Sequence, residues 1–161
     1  MNMRPPLRID IPGRASLALT DLVLDFNGTL AADGFMLAGV PERLVRLAEI
    51  LHIHVVTGDT YGSAAGALAG EPVHLVVLEA QGQARAKLDY VQKLGPAGTV
   101  AIGNGRNDCE MLHAAALGIA VLGSEGTCAA LLAEADVLAA DVLTALDLLL
   151  QPQHLVATLR G

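Results

Sequence analysis

The chain has 161 residues, 53% of them hydrophobic, which is enough for one domain with a buried core and too few for two. Its formal net charge is −7, and with two Phe, two Tyr and no Trp it offers neither a basic surface nor stacking rings for nucleic acid. No apolar run reaches the roughly 18 residues that span a bilayer, and residues 1–10 lack the apolar segment of a signal peptide. We therefore expect a single domain over residues 1–161, in the cytoplasm, with no nucleic-acid or membrane partner.

The chain begins with a predicted β-hairpin. Residues 7–19 (LRIDIPGRASLAL) contain two short apolar runs on either side of Pro12 and Gly13, residues that favour a tight turn. We expect residues 1–19 to form a hairpin extension that lies on an edge of the main sheet.

The rest of the chain alternates between two patterns. Short apolar runs rich in β-branched residues have the length of strands buried on both faces, and they cover residues 21–26, 53–57, 73–78, 99–103 and 118–123. Between them, apolar residues recur at helical spacing, and this predicts helices over residues 41–51, 83–95, 107–118, 127–135 and 141–150. Strands that alternate with helices predict an α/β fold, a three-layer doubly wound parallel sheet.

Polar residues follow three of the predicted strands. Asp25 comes at the end of the first, residues 57–59 (TGD) end the second, and residues 103–108 (GNGRND) end a later one. Ligands of open parallel sheets bind beyond the carboxyl ends of the strands, so these residues should meet there, together with Lys87 near the start of a helix. An Asp can attack phosphorus, Lys and a divalent cation can neutralise phosphoryl oxygens, and Gly lets backbone amides approach a phosphate. The pattern indicates phosphoryl chemistry.

Four segments carry a resemblance to a known family. LVLDFNGTL (22–30), VVTGD (55–59), the helix of Lys87 and AIGNGRNDCEMLHAAALGIAV (101–121) resemble, in order and spacing, the four motifs of the haloacid dehalogenase superfamily of aspartate-nucleophile hydrolases. One such segment alone would be weak evidence, whereas four in order, each at its predicted strand or helix, are strong. The resemblance spans residues 22–122 and implies a Rossmann-like sheet.

The resemblance also implies a role for each matching residue. Asp25 would be the nucleophile, and its carboxylate and the backbone carbonyl of Asn27 would contact Mg2+. Thr57 and Gly58 would hold the phosphoryl group, while Lys87 would bridge the phosphate and the nucleophile. The implied catalytic set is Asp25, Asn27, Thr57 and Lys87; the metal set is Asp25, Asn27, Asn104 and Asp108; the residues that complete the cofactor and phosphate site are Gly28, Thr29, Gly58, Asp59, Gly105 and Asn107.

Two residues depart from the common phosphatase pattern. That pattern has an Asp at the position of Asn27, which protonates the leaving group and then activates water; Asn can do neither, at a typical cost of about 10²–10⁴-fold for a poor leaving group. Asn104 stands where an Asp would normally bind the metal, and an amide oxygen brings no charge. We therefore expect weak metal binding and a substrate with a good leaving group, such as an acyl phosphate, an anhydride or an activated aryl phosphate.

The same departure indicates a subgroup. P-type cation-transporting ATPases also lack an Asp at the position of Asn27, and residues 57–59 resemble their TGD segment. The chain is therefore most similar to the small soluble P-type-ATPase-like members of the superfamily. The intervals between Asp25 and Pro41, and between residue 57 and Lys87, are too short for a cap domain. The site should be open, and the resemblance implies a homo-oligomer, either a dimer or a tetramer.

A second interpretation stays open. The chain could keep the fold and a phosphate or metal pocket while Asn27 and Asn104 have disabled turnover, which would make it a catalytically impaired binding or regulatory module. In either case the expected partner is a small-molecule phosphate or phosphoanhydride.

Overall fold

The computed structural model describes residues 3–59 and 62–161. Its strands are β1 (Leu7–Ile9), β2 (Leu17–Leu19), β3 (Asp21–Leu24), β4 (Ala31–Ala32), β5 (Phe35–Met36), β6 (His52–Thr57), β7 (His74–Val77), β8 (Thr99–Gly103), β9 (Leu117–Val121) and β10 (Val137–Ala139). Its α-helices are α1 (Val40–Leu47), α2 (Ala64–Ala67), α3 (Gln83–Leu94), α4 (Cys109–Ala114), α5 (Val142–Leu150) and α6 (Pro152–Leu159). Shorter 3-10 helices cover Pro96–Gly98, Arg106–Asp108 and Ala129–Ala133.

The central sheet is parallel and has the strand order β10-β9-β8-β3-β6-β7. Strand β3 lies between β8 and β6, with Leu22 opposite both Val100 and Ile53. Side chains alternate across the pleat, so Leu22 and Leu24 enter the hydrophobic cluster that packs under α1 and α5, while Val23 enters the cluster under α3 and α4. Buried clusters on both faces confirm the predicted three-layer, doubly wound α/β fold.

The N-terminal hairpin is confirmed, but its predicted position on a sheet edge is wrong. Strands β1 and β2 pair antiparallel, with Leu7 opposite Leu19. Only Thr20 separates β2 from β3, and its backbone N–H donates to the carbonyl of Gly98 at 2.8 Å, just before β8. Because the connection to a central strand is so short, the hairpin lies at the amino ends of β3 and β8. Met1 and Asn2 of the predicted extension fall outside the described residues.

The C-terminal half departs from the prediction in three places. Residues 127–135, predicted as one helix, contain a 3-10 helix instead, and β10 follows where no strand was predicted. The helix predicted over residues 107–118 ends at Ala114, because Ala115 is already extended and β9 begins at Leu117. Residues 152–159, for which no element was predicted, form α6, and this helix buries Leu155 completely in the chain's own core.

The segment between Asp25 and α1 is short and holds only the small β4–β5 hairpin, with Ala31 opposite Met36. In the described part of the interval between Thr57 and Lys87, the chain forms α2 and β7. Among the residues that the structure describes, neither interval contains a folded unit large enough to cover the ends of the strands, which agrees with the capless architecture predicted.

Within residues 3–59 and 62–161, no single helix combines the length and apolar character needed to cross a membrane. Helices α5 and α6 would satisfy both criteria only as a pair, and the pair is bent by 103° at their junction.

Candidate active site

Asp25 is the first residue after β3, the strand in the middle of the sheet. Its backbone N–H donates to the carbonyl of Ile102 in β8 at 3.1 Å, which fixes the chain where it leaves the strand. The residue is 7% exposed. One carboxylate oxygen, Oδ1, accepts from Lys87 Nζ at 2.8 Å, and Oδ2 accepts from the Thr29 hydroxyl at 3.3 Å. The central strand therefore delivers a nearly buried carboxylate to its tip.

Lys87 is the cation of the site and reaches it from α3. It is 1% exposed, and Nζ lies 2.8 Å from Asp25 Oδ1 and 2.7 Å from Asp108 Oδ1. Asn107 Oδ1, at 3.4 Å, is a further acceptor. One buried ammonium thus holds two buried carboxylates, and the three groups together carry a charge of −1 when all are ionised.

The burial of these groups shifts their protonation equilibria. Desolvation, together with the nearby charge of Asp108, raises the pKa of Asp25 to about 6, although Lys87 acts in the opposite direction. Burial lowers the pKa of Lys87, but the charges and hydrogen bonds of Asp25 and Asp108 outweigh that effect, so its pKa is raised overall. Lys87 therefore stays charged at neutral pH, while ionising Asp25 costs free energy in the folded chain.

This cost leads to a stability prediction for the metal-free protein. The unfolded-state pKa of Asp is about 3.9. Between that pH and about 6, Asp25 is protonated in the folded state and ionised in the unfolded state. The free energy of unfolding therefore falls as pH rises through this window. Asp25→Asn imitates the protonated form and should melt about 2–6 °C above the wild type at pH 8. The advantage should vanish near pH 4, as thermal unfolding in a chelator would show. Asp89→Asn, at a carboxylate 56% exposed on α3, is the control; equal melting of Asp25→Asn and wild type at pH 8 would contradict the prediction.

The loop after Asp25 is shaped by a glycine. Gly28 has a φ of +78°, and its N–H donates to the carbonyl of Ala31 at 2.8 Å. A Cβ at this position would lie 2.5 Å from Asn104 Nδ2 and 2.8 Å from Glu125 Oε2, and the positive φ would strain any other residue. Just before it, the side-chain Oδ1 of Asn27 is buried and makes no hydrogen bond within the described residues. A buried acceptor without a donor is costly unless a ligand or ion completes it.

Asn104 follows β8 and turns its amide oxygen toward the Asp25 side of the site. Its Oδ1 lies 3.2 Å from the Thr29 hydroxyl, whose single hydrogen is shared between this oxygen and Asp25 Oδ2. Its Nδ2 donates to the carbonyl of Gly126 at 3.0 Å. The two hydrogen bonds fix the amide orientation with oxygen toward Asp25.

Asp108 is turned away from the opening. It is fully buried, its Oδ2 accepts from the backbone N–H groups of Asn104 at 3.1 Å and Gly105 at 3.0 Å, and its Oδ1 accepts from Lys87. Both oxygens of Asp108 thus bind protein donors, as those of Asp25 also do, and its role as a metal ligand stays a prediction.

The carboxyl end of β6 contributes a hydroxyl. Thr57 is 2% exposed, and its Oγ1 accepts from the N–H of Asp59 at 3.0 Å, which leaves its own hydrogen free to donate. Asp59, at a φ of +46°, turns its carboxylate to the N–H of Ala64 at 2.9 Å. Its side chain thus supports the start of α2. Gly58 lies directly against the side chain of Gln83.

These residues surround a polar cavity of about 280 Å³, lined by Asp25, Asn27, Thr57, Gly58, Gln83, Asn104, Gly105, Asn107 and Glu125. Lys87, Thr29 and Asp108 support the cavity from behind.

Two residues that line the cavity, Gln83 and Glu125, were not predicted from the sequence. Gln83 is four residues before Lys87 and so shares its helix face, a spacing that could have indicated it. Glu125 follows the end of β9, the neighbour of β8, and only the strand order brings it to the site.

The oxygen donors of the cavity fit a magnesium ion. Mg2+ prefers oxygen ligands and usually takes only one or two protein carboxylates. The Asp25 carboxylate, the oriented Oδ1 of Asn104 and Asn27, whose backbone carbonyl is the predicted ligand, belong to residues that line one cavity. The chemistry of this donor set therefore suits the cation that the sequence predicts.

Comparisons with known proteins bear on both sequence and fold. No family model matches the chain. It is 46% identical to uncharacterised protein MJ0073 of Methanocaldococcus jannaschii over 61 residues, which are 38% of this chain and 66% of that protein. It is also 46% identical to protein MJ0072 of the same organism over 39 residues, which are 24% of this chain and 89% of that protein, so the chain and MJ0072 belong to one family.

Solved structures of similar fold are more distant in sequence. A 3-deoxy-D-manno-octulosonate 8-phosphate phosphatase from Moraxella catarrhalis, solved with magnesium, phosphate and KDO, superposes with a TM-score of 0.65 at 16% identity, over 87% of this chain and 92% of that one. A cobalt-bound deoxy-D-mannose-octulosonate 8-phosphate phosphatase from Haemophilus influenzae superposes with a TM-score of 0.68 at 16% identity, over 84% of this chain and 90% of that one. A haloacid dehalogenase superfamily hydrolase of subfamily III A from Legionella pneumophila gives 0.64 at 18%, over 87% and 86%.

Proposed function

Because the chain has the fold of the haloacid dehalogenase superfamily hydrolases, we propose that it is a Mg2+-dependent phosphohydrolase that forms an aspartyl phosphate on Asp25. One observation carries the proposal. The carboxylate at the tip of the central strand contacts a buried lysine at 2.8 Å and opens into a cavity of about 280 Å³ lined by polar groups. A nucleophile, a cation and a small polar cavity are the parts that phosphoryl transfer requires.

The chemical steps follow from Asp25. A carboxylate oxygen attacks phosphorus and forms an O–P bond, while the bond to the leaving group breaks and its electron pair departs with that group. Water then attacks the phosphorus of the aspartyl phosphate. This second step releases inorganic phosphate, restores the carboxylate and returns the remaining proton to solvent.

The other side chains bind and orient the transferred group. Lys87 holds Asp25 in place and offsets negative charge as the transition state forms. Within the described residues the Thr57 hydroxyl donates to no protein group, so its hydrogen is available for a phosphoryl oxygen, and Gly58 and Asn107, which carry further N–H donors, line the same cavity. These donors would select a phosphoryl group.

The carboxylate of Asp25, the backbone carbonyl of Asn27 and Oδ1 of Asn104 would hold Mg2+, and the bound cation would supply positive charge opposite the phosphoryl oxygens. We assign Asp108 a positioning role, because its hydrogen bonds to Lys87, Asn104 and Gly105 hold the two sides of the site together.

The substrate class follows from Asn27, which can neither protonate a leaving group nor activate water. We propose a small phosphorylated molecule whose leaving group departs readily as an anion, such as an acyl phosphate, a phosphoanhydride or an activated aryl phosphate. The same residue supports placement in the soluble P-type-ATPase-like subgroup, which stays a prediction.

We also propose a homo-oligomer, dimer or tetramer. The site has no cap, and Phe35 of the β4–β5 hairpin, which follows the Asp25 loop, is 79% exposed. A neighbouring copy would bury that apolar side chain and cover part of the open site.

A second candidate function rests on Asn27 and Asn104 together. Both place a neutral amide where the superfamily pattern has a carboxylate, while the cavity and the buried lysine remain. That combination would suit a module that binds phosphate or metal without turnover.

A trapping experiment tests the main proposal. The protein is incubated with acetyl phosphate and Mg2+, quenched in acid and analysed by intact-mass spectrometry. We expect a population heavier by one phosphoryl group that is absent in Asp25→Asn and present in the surface control Asp89→Asn. Beryllium fluoride, which imitates the phosphoryl group, should protect the wild type against heat in the presence of Mg2+. No adduct and no protection would favour the binding module.

A further inference from the structure

The loop between β9 and the 3-10 helix at Ala129–Ala133 is fastened tightly to the candidate site. The loop makes two hydrogen bonds with Asn104. The Nδ2 of Asn104 donates to the carbonyl of Gly126 at 3.0 Å, and the backbone carbonyl of Asn104 accepts from the N–H of Cys128 at 2.9 Å. At the other end, Gly123 lies so close to the carbonyl of Gly28 that a Cβ would overlap it. The loop is thus held against both segments that supply the proposed Mg2+ ligands.

The loop is also tied to itself, which fixes its apex. The hydroxyl of Thr127 donates to the carbonyl of Val121 at 2.6 Å, and the N–H of Gly126 donates to the carbonyl of Gly123 at 3.0 Å. Glu125 stands at this apex, immediately before the residue that binds the amide of Asn104. A rigid turn therefore presents one carboxylate to the site.

Glu125 reaches the cavity but has no protein partner to explain its position. It is one of the cavity's lining residues, and its Oε2 would lie 2.8 Å from a Cβ at Gly28. Within residues 3–59 and 62–161, its carboxylate makes no hydrogen bond or ion pair. The same imagined Cβ would lie 2.5 Å from Asn104 Nδ2, so the Glu125 carboxylate and the Asn104 amide stand side by side.

The site lacks a negative charge beside the Asn104 amide. The buried groups Asp25, Lys87 and Asp108 sum to −1, and Asn27 and Asn104 add none, although a divalent cation is stabilised by carboxylates. Lys87 and backbone amides already occupy the oxygens of Asp108. Glu125 is the remaining carboxylate among the residues that line the cavity.

We infer that Glu125 supplies to the divalent-cation site the negative charge that Asn104 does not. In this arrangement the amide oxygen of Asn104 is a neutral ligand of the cation, and Glu125, on a separate loop, contributes the negative charge. The inference rests on the proposed function, because it takes Mg2+ as the occupant of this cavity.

Isothermal titration calorimetry with MgCl2 alone tests the inference without any substrate. Glu125→Gln should raise the dissociation constant for Mg2+ about tenfold, the lower end of the loss seen when outer carboxylates of metal sites are removed. Asn104→Asp combined with Glu125→Gln should restore affinity to within about threefold of the wild type, because the charge returns on the neighbouring residue. Glu49→Gln, an exposed carboxylate after α1 at the amino ends of the strands, is the control for net charge and should leave Mg2+ affinity unchanged.

The outcomes separate this inference from the proposed function. Equal Mg2+ affinity in wild type and Glu125→Gln would overturn the role of Glu125, and acetyl phosphate trapping on Asp25 would show that the phosphohydrolase proposal survives. No Mg2+ binding by the wild type would overturn both. Thermal unfolding of Glu125→Gln in a chelator should match the wild type, since the side chain has no protein partner; a large loss of stability there would assign Glu125 a structural role instead.

Discussion

Replacing Lys87 with Met is expected to lower the free energy of unfolding by about 3–5 kcal/mol, because it leaves two buried carboxylates without their cation. Lys87 is 1% exposed, and the side chains of its partners Asp25 and Asp108 are 10% and 0% exposed. Solvent cannot replace the lost ammonium. Urea unfolding at pH 8 in a chelator measures the loss.

The pH dependence distinguishes this electrostatic cause from lost packing. Without Lys87, the pKa of Asp25 should rise further, and protonation of that carboxylate at lower pH would relieve its repulsion with Asp108. The destabilisation should therefore shrink between pH 8 and pH 5. The double variant Asp25→Asn with Lys87→Met should recover part of the stability, since it removes one of the unpaired charges.

Replacing Lys87 with Met should lower turnover as well as stability. Lys87 is the cation that orients the proposed nucleophile, and the loss of a single such group typically costs about 10²–10³-fold in kcat. Lys93→Met is the matched control, because Lys93 lies exposed in the last turn of the same helix and makes no ion pair within the described residues. Unchanged stability and trapping in Lys87→Met would contradict the assignment of Lys87.

The centre of the site could be predicted because each residue stands at the end of a strand that its own apolar pattern reveals. Strand β3 is buried on both faces, so its apolar run is continuous, and Asp25 marks its end. Thr57 is the last residue of β6 and Asn104 follows β8, and the parallel sheet brings all three strand ends to one edge. Lys87 was predicted by position on a helix that packs over them.

Other features depend on contacts that one sequence does not reveal. The orientation of Asp108 is decided by the backbone amides of Asn104 and Gly105 and by Lys87, and a motif gives the residue without its direction. Glu125 comes to the cavity because β9 is the neighbour of β8, a matter of strand order. Strand β10 has only three residues, too few to give a period-two pattern, and it forms because β9 offers a free edge.

The N-terminal hairpin illustrates the same limit. Its two strands and turn are local features, and the sequence predicted them correctly. Its position depends on the short connection at Thr20 and on the hydrogen bond from the Thr20 N–H to the carbonyl of Gly98. These two features hold the hairpin at the amino ends of the central strands. A local sequence pattern predicts a strand or a helix, whereas the position of that element in the fold depends on its contacts with other elements.

Asn27→Asp is expected to raise kcat/KM about 10²–10⁴-fold for an alkyl phosphate, whose leaving group needs a proton. The structure can accept the change, because the Asn27 Oδ1 makes no hydrogen bond in the described residues that the substitution would break. For acetyl phosphate or 4-nitrophenyl phosphate the gain should be less than about tenfold, since these leaving groups depart as stable anions. Steady-state kinetics with both substrate classes at saturating Mg2+ measure the two ratios.

The difference between the two gains separates acid–base catalysis from simple charge. Asn107→Asp adds the same charge in the same cavity, where Asn107 bonds to Lys87 and Gln83, so it should not change the preference between leaving groups. An equal gain for alkyl and aryl phosphates in Asn27→Asp would mean that the new carboxylate acts on metal binding. No gain with either class, in a protein that still binds Mg2+, would locate the defect in the cavity itself and favour the binding module. A selective gain for the alkyl phosphate would mean that the site is intact and lacks only a proton donor, because a single carboxylate could then restore the missing step.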